Sequence, residues 1–209
     1  MNKTKEKPSL CTSVNIKDFS GKDFVRNRPS KTCKSKQKSN NNCTINLVHQ
    51  NIQGMLSKEL EIELFMNSDN IDVLCVTEHW LKAHQFMFGF KNHQIASSFS
   101  REQAIHGGSL ILIHKSIKYK ERADVVSLSV ERTTEIACIE LERLIIMSVY
   151  RPPASSFEVF EKIMDEALIK VGNCNKNIVV CGDFNIDLLD SSCKYTNWLI
   201  SLFNCHNLL

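Results

Sequence analysis

Apolar residues along this chain fall in short dense runs separated by charged or glycine turns, the pattern of successive sheet strands rather than of long helices. TINLVHQN (44–51) reads as a strand, and IDVLCVT (71–77) as a second one with no polar face, which suits a strand covered on both sides. Between them, residues 57–67 place Leu60, Leu64 and Phe65 at helical spacing, with Ser57 as N-cap. The opening therefore reads strand, helix, strand, the start of a layered α/β domain. From residue 93 the helices thin out, and HQIASSFS (93–100), SLILIHKS (109–116), DVVSLSVE (124–131), TEIACIEL (134–141) and RLIIMSVY (143–150) all read as strands. A helix over 157–170 carries Phe157, Phe160, Ile163, Met164, Ala167 and Leu168 on one face. Residues 176–181 form a further interior strand, and Tyr195, Leu199, Leu202 and Phe203, with Trp198 beside them, mark a last helix. Only that helix follows the strand at 176–181, so a second sheet is expected to be short of strands.

Composition divides the chain near residue 43. Residues 1–43 are rich in Lys, Ser, Asn and Thr and hold 11 Lys+Arg against 3 Asp+Glu, a net charge of +8. Residues 44–209 hold 15 against 20, a net of −5, so the overall +3 conceals a basic arm on an acidic body. The arm, residues 1–43, is expected to be disordered, and its run KTCKSKQK (31–38) reads first as a solvated tail, with a nucleic-acid contact or nuclear address as the alternative. Nine cysteines contain no Cys-x-x-Cys pair, and Cys75, Cys138 and Cys181 lie inside apolar runs. Reduced, buried thiols are the expectation, which places the chain inside the cell, in nucleus or cytoplasm. No aliphatic stretch reaches the length of a membrane span, and neither a membrane nor a stable protein partner is expected.

Candidate chemistry gathers where the runs end. The strand at 71–77 stops in Glu78-His79-Trp80, that at 143–150 in Tyr150-Arg151-Pro152-Pro153, and that at 176–181 in Gly182-Asp183-Phe184-Asn185. Strand ends are where open α/β sheets present reactive groups. Glu78 is a hard oxygen donor suited to Mg²⁺, against the plainer reading of a solvated cap. In Gly182-Asp183-Phe184-Asn185 the acid and the amide can point one way while Phe184 packs the other; the acid positions a water or proton and the neutral amide donates to a phosphoryl oxygen, unless the segment is an ordinary turn. Tyr150 offers a phenolic donor and Arg151 a fork of donors. Arg101, His106 and Gly107-Gly108 surround a substrate-side loop, and the absence of a phosphate-loop motif argues against nucleoside triphosphate hydrolysis.

Taken with Gln50-Asn51-Ile52-Gln53-Gly54 and Ser98-Phe99-Ser100-Arg101, these segments resemble the endonuclease/exonuclease/phosphatase superfamily over roughly residues 44–209. They are most similar to the apurinic-type endonuclease domain of jockey-like non-long-terminal-repeat retrotransposons, proteins associated with reverse transcriptase. The resemblance implies a four-layered α/β sandwich, here with its second sheet incomplete, and cleavage of DNA phosphodiesters with Mg²⁺ or Mn²⁺. It implies metal roles for Glu78 and Asn51, catalytic roles for Tyr150, Asp183 and Asn185, and substrate contacts from Arg151 and Arg101. Family members end in a Ser-Asp-His segment that nothing after Asp183 matches. The expectation is therefore a domain lacking its C-terminal part and cutting slowly or not at all, with a catalytically inactive nucleic-acid-binding or structural remnant of a retroelement protein as the alternative.

Overall fold

The computed structural model describes residues 14–18, 44–85 and 89–208. Two mixed sheets lie face to face. The first runs β1 (Val14–Asp18), β2 (Ile45–Asn51), β3 (Val73–Thr77), β5 (Ser109–His114), β4 (His93–Phe99). The second runs β6 (Lys120–Glu121), β7 (Glu135–Glu140), β8 (Leu144–Tyr150), β9 (Asn177–Asp183). Helix α1 (Glu59–Ser68) joins β2 to β3, one-turn α2 (Ala123–Val126) precedes β7, α3 (Phe157–Gly172) joins β8 to β9, and α4 (Lys194–Cys205) follows. Both helical crossovers link neighbouring parallel strands, β2 with β3 and β8 with β9, as parallel pairing requires.

Strand alternation explains the unbroken apolar runs. In β3, Val73 and Cys75 face the second sheet; they pack beside Ile111 of neighbouring β5 and across the interface against Ala137, Ile146 and Cys181. Leu74 and Val76 face outward onto Ile62 and Met66 of α1. The outer face of the second sheet, through Ile136, Ile145, Met147 and Val149, is covered by Phe160, Met164 and Leu168 of α3 and Leu199 of α4. The result is the expected four-layered α/β sandwich. The second sheet has its open side at β9, which has no outer neighbour among the described residues.

Several local expectations change. Residues 14–18 lie within the segment read as a disordered arm, yet form β1, parallel to β2; the rest of that segment, including residues 31–38, lies outside the described residues. Helix α1 turns over relative to the reading, burying Ile62 and Met66 and leaving Leu60 70% exposed and Leu64 61% exposed. Ser57 is not its N-cap: it takes a positive φ of 71°, and Lys58 occupies the cap and ties its Nζ back to the Ile52 carbonyl at 2.6 Å. DVVSLSVE is not a strand. Arg122 grips Asp124 at 2.7 and 2.8 Å and Val125 is buried in the α3 layer, which winds α2. Ser129 then exchanges hydrogen bonds with Ile136 in place of a ladder. Helix α3 forms as read, capped by Ser156. Cys75, Cys138 and Cys181 are buried free thiols, and no helix among the described residues is long and apolar enough to cross a membrane.

Candidate active site

Four strand ends, two from each sheet, meet at one end of the sandwich. In the first sheet Asn51 and Thr77 are register partners on β2 and β3, and Glu78 follows directly. In the second, Tyr150 and Asp183 are register partners on β8 and β9. The Asn51 side chain joins the halves, its Nδ2 donating to Glu78 Oε1 at 2.7 Å and to Asp183 Oδ2 at 2.9 Å. Two carboxylates from different sheets thus converge on one amide.

Backbone geometry fixes each acid. Gly182 has φ +146°, and a Cβ there would collide with the Val149 carbonyl of β8. Only glycine lets β9 approach closely enough to set Asp183 at that end. The Asn185 amide N–H donates to Asp183 Oδ1 at 3.1 Å, and its side-chain Nδ2 spans to the Arg151 carbonyl at 2.8 Å. Glu78 lies in the left-handed region at φ +56°. Its N–H donates to the Gly108 carbonyl and its carbonyl accepts from Gly54 N–H, at 2.9 and 2.8 Å. Trp80 Nε1 donates to Glu78 Oε2 at 3.2 Å. Burial, then the charge of Glu78 and a hydrogen bond to it, push the Tyr150 phenol well above its ordinary value, so it stays a proton donor.

The remaining site candidates are placed differently. Arg151 is 5% exposed. Its Nη1 donates to the carbonyls of Phe184 and Asn185 at 3.1 and 3.4 Å and its Nη2 to that of Ser155 at 3.3 Å, while the guanidinium lies over the rings of Phe157 and Phe160. It staples the loops after β8 and β9 from beneath. Arg101 pairs with the fully buried Glu135, Nε to Oε1 at 2.5 Å, and also donates to the Ile105 carbonyl. His79, read from the sequence as a rim residue, is fully buried: Nδ1 accepts from Leu81 N–H at 3.0 Å, which leaves Nε2–H to donate to the Phe99 carbonyl at 2.9 Å. Burial lowers its pKa to about 4 and keeps it neutral.

Sequence reasoning missed the supports of the loop 101–108. Glu135 also accepts from the N–H groups of Gly108 and Arg132. Lys82 Nζ donates to the carbonyls of Arg101, Glu102 and Ala104, and Glu131 accepts from the N–H groups of residues 102, 103 and 104. A charged residue opening a β-rich run, as Glu135 does in TEIACIEL, was the only sign available.

A four-layered α/β sandwich with two acids, an amide and a phenol at the adjoining strand ends of both sheets defines a class of hydrolytic domains. The chain belongs to the endonuclease/exonuclease/phosphatase family, whose model matches residues 43–200. Among similar solved structures is the endonuclease domain of TRAS1, a telomere-specific non-LTR retrotransposon, at 13% identity and a TM-score of 0.57, over 77% of this chain and 71% of that one. An AP endonuclease from Archaeoglobus fulgidus is similar at 12% identity and 0.57, over 76% and 70%. The 3'-5' exonuclease NExo from Neisseria meningitidis is similar at 13% and 0.58, also over 76% and 70%. At these identities the likeness is one of fold. No curated protein matches the chain.

Proposed function

We propose that this domain binds the phosphodiester backbone of DNA and hydrolyses it with Mg²⁺ or Mn²⁺ held at Glu78 and Asn51. The observation that carries the reading is the bond from one Asn51 amide to two carboxylates of different sheets. Two acids so close repel each other, a field that a hard divalent cation relieves. The donor set fits that cation: among the described residues no group of three or more His, Cys, Asp or Glu forms a cage, and Mg²⁺ characteristically takes one or two carboxylates and keeps its waters. When bound, the cation supplies charge neutralisation at the phosphoryl oxygens.

The chain's own residues supply the rest. Tyr150, held protonated, donates to a phosphoryl oxygen. Asp183, oriented by the Asn51 and Asn185 nitrogens, aligns the attacking water and takes its proton. Asn185 adds a neutral donor, and Arg151 holds the two loops in register as a positioning residue. His79 is engaged by Leu81 and Phe99, and His206 by Asp165, so the general-base share, typically about 10²–10⁴-fold, falls to Asp183. The likeness to the TRAS1 endonuclease fold, with Tyr150-Arg151-Pro152-Pro153 and Gly182-Asp183-Phe184-Asn185, supports a retroelement origin, and the buried free thiols suit a reducing, intracellular setting.

Purified protein would be assayed on supercoiled and abasic-site DNA with Mg²⁺ or Mn²⁺, beside Glu78→Ala and Asp183→Ala. Nicking lost in both variants supports the reading. Metal-dependent DNA binding without nicking favours the alternative, an inactive nucleic-acid-binding remnant. Neither nicking nor metal-dependent binding, in folded protein, would sink both and leave a structural remnant.

A further inference from the structure

Trp80 stands beside the acids in a backbone conformation that bulky residues seldom hold. Its φ is +61°, two residues after Glu78 at +56°. Such outliers persist only where the surroundings over-determine them, and they cluster at functional sites. Here Trp80 N–H donates to the Gly107 carbonyl and Met55 N–H to the His79 carbonyl, both at 2.9 Å. Gly54 clears the space beneath the indole: a Cβ on it would stand 2.8 Å from Trp80 Cε3. Packing does not account for the residue, because Trp80 joins none of the three apolar clusters and is 37% exposed.

Its neighbourhood is equally committed to the surface. The exposed His106 ring lies against the indole, centroids 4.2 Å apart and planes inclined 34°. Beside it Ile105 is 70% exposed, although the loop bearing both is pinned by Lys82, Glu131 and the Arg101–Glu135 pair. A rigid loop thus presents an apolar and aromatic tip next to Glu78 instead of burying it.

We propose that Trp80, His106 and Ile105 form a stacking platform for an unpaired nucleobase adjoining the phosphate held at Glu78, so that the preferred substrate is single-stranded or locally unpaired DNA. The inference rests on the nucleic-acid reading above and narrows it. A base, rather than an apolar protein surface, fits a platform whose indole N–H is bonded to a site carboxylate: a nucleotide brings the aromatic face and the anion together.

The chain has two tryptophans, and Trp198 packs in the α3–α4 layer against Phe157 at 5.1 Å. Trp198→Phe therefore leaves Trp80 as the sole indole reporter. This protein would be titrated, in the presence of Mg²⁺, with a short single-stranded deoxyoligonucleotide and with an oligomer of the same length made of abasic tetrahydrofuran sugars. Expected are saturable quenching of Trp80 by the base-bearing strand and weaker binding, without quenching, of the abasic one. Trp80→Ala should weaken only the base-bearing strand, by about 5- to 150-fold as stacking on one aromatic predicts, with Trp80→Phe restoring part. Ile105→Ser, at a position 70% exposed, should weaken the same strand selectively and keep wild-type Tm. Equal affinity and equal quenching for both probes would overturn the platform while leaving the nucleic-acid reading intact. So would an equal loss for both probes in Trp80→Ala, which would make the indole a positioning residue for Glu78. Binding of neither probe would overturn the platform together with the reading beneath it.

Discussion

Replacing Arg101 separates what the sequence suggests from what the structure holds. As a substrate contact it would lose a phosphate interaction and leave the fold untouched. In the structure its guanidinium, 10% exposed, is the ionic partner of the fully buried Glu135. Arg101→Ala leaves that carboxylate with the N–H groups of Gly108 and Arg132 and no counter-charge. Breaking a buried pair from one side costs about 3–5 kcal/mol, most of it the stranded charge. For a chain of this size each kcal/mol moves Tm by about 2–4 °C, so a fall of roughly 10 °C is expected. Removing the stranded charge should recover much of the loss, making the Arg101→Ala/Glu135→Gln double variant more stable than Arg101→Ala alone. Urea denaturation of wild type, both singles and the double supplies the coupling energy, and DNA binding across a salt series supplies the phosphate count. If Arg101→Ala holds wild-type stability within about 0.5 kcal/mol while the salt slope drops by about 0.9, the guanidinium meets phosphate and the buried-pair argument is wrong.

Three other outcomes test the site and its frame. Gly182→Ala should abolish nicking and lower cooperativity of unfolding, since the Cβ meets the Val149 carbonyl between two paired strands; a soluble variant with wild-type Tm and activity would show that β9 yields freely. Tyr150→Phe should keep its Tm and cut about 10- to 150-fold more slowly, from loss of a charge-assisted hydrogen bond; lost stability with unchanged rate would make the hydroxyl a scaffold group. His93, 2% exposed with Nε2 on the Ile71 carbonyl at 2.7 Å and His114, Asp72 and Glu63 facing it, has its pKa lowered from 6.5 chiefly by burial. The unfolded chain then binds more protons, so its contribution to stability is full above 6.5 and lost as pH falls below it; chemical denaturation from acid to neutral pH should show a shallower pH dependence in His93→Gln, and parallel curves would refute this.

The strand ends were legible because a run covered on both faces must be apolar throughout, so Glu78 and Asp183 stood out as abrupt changes. The opening of a layered α/β domain was legible for the same reason, whereas the count of four layers came from the family resemblance. Faces were less so: in α1, Leu60 with Leu64 and Ile62 with Met66 both satisfy helical spacing, and only docking on β3 chooses the second pair. DVVSLSVE has strand composition, yet the Arg122–Asp124 grip and the burial of Val125 outweigh propensity. The arginines were the hardest to assign. Nothing local distinguishes a guanidinium aimed at phosphate from one paired with Glu135, a residue distant in sequence, or from one satisfied by loop carbonyls.

The two halves of the site have the same construction. β2–α1–β3 delivers Asn51 and Glu78, and β8–α3–β9 delivers Tyr150 and Asp183, each from adjoining ends of parallel strands. Neither unit holds both acids. Their distance is set by how the sheets dock, and small residues such as Ala96, Ala137, Cys75 and Cys181 form part of the layer between them. Near the site that layer turns polar, where Ser109 Oγ, on the register partner of Thr77, donates to the Ser148 carbonyl at 2.9 Å. Asn51 then closes the seam with bonds too short to survive a shift of either sheet. Enlarging a residue in that layer is therefore expected to act on the acids from a distance: the sheets separate and the Asn51 amide loses one carboxylate, although no residue of the site itself has changed.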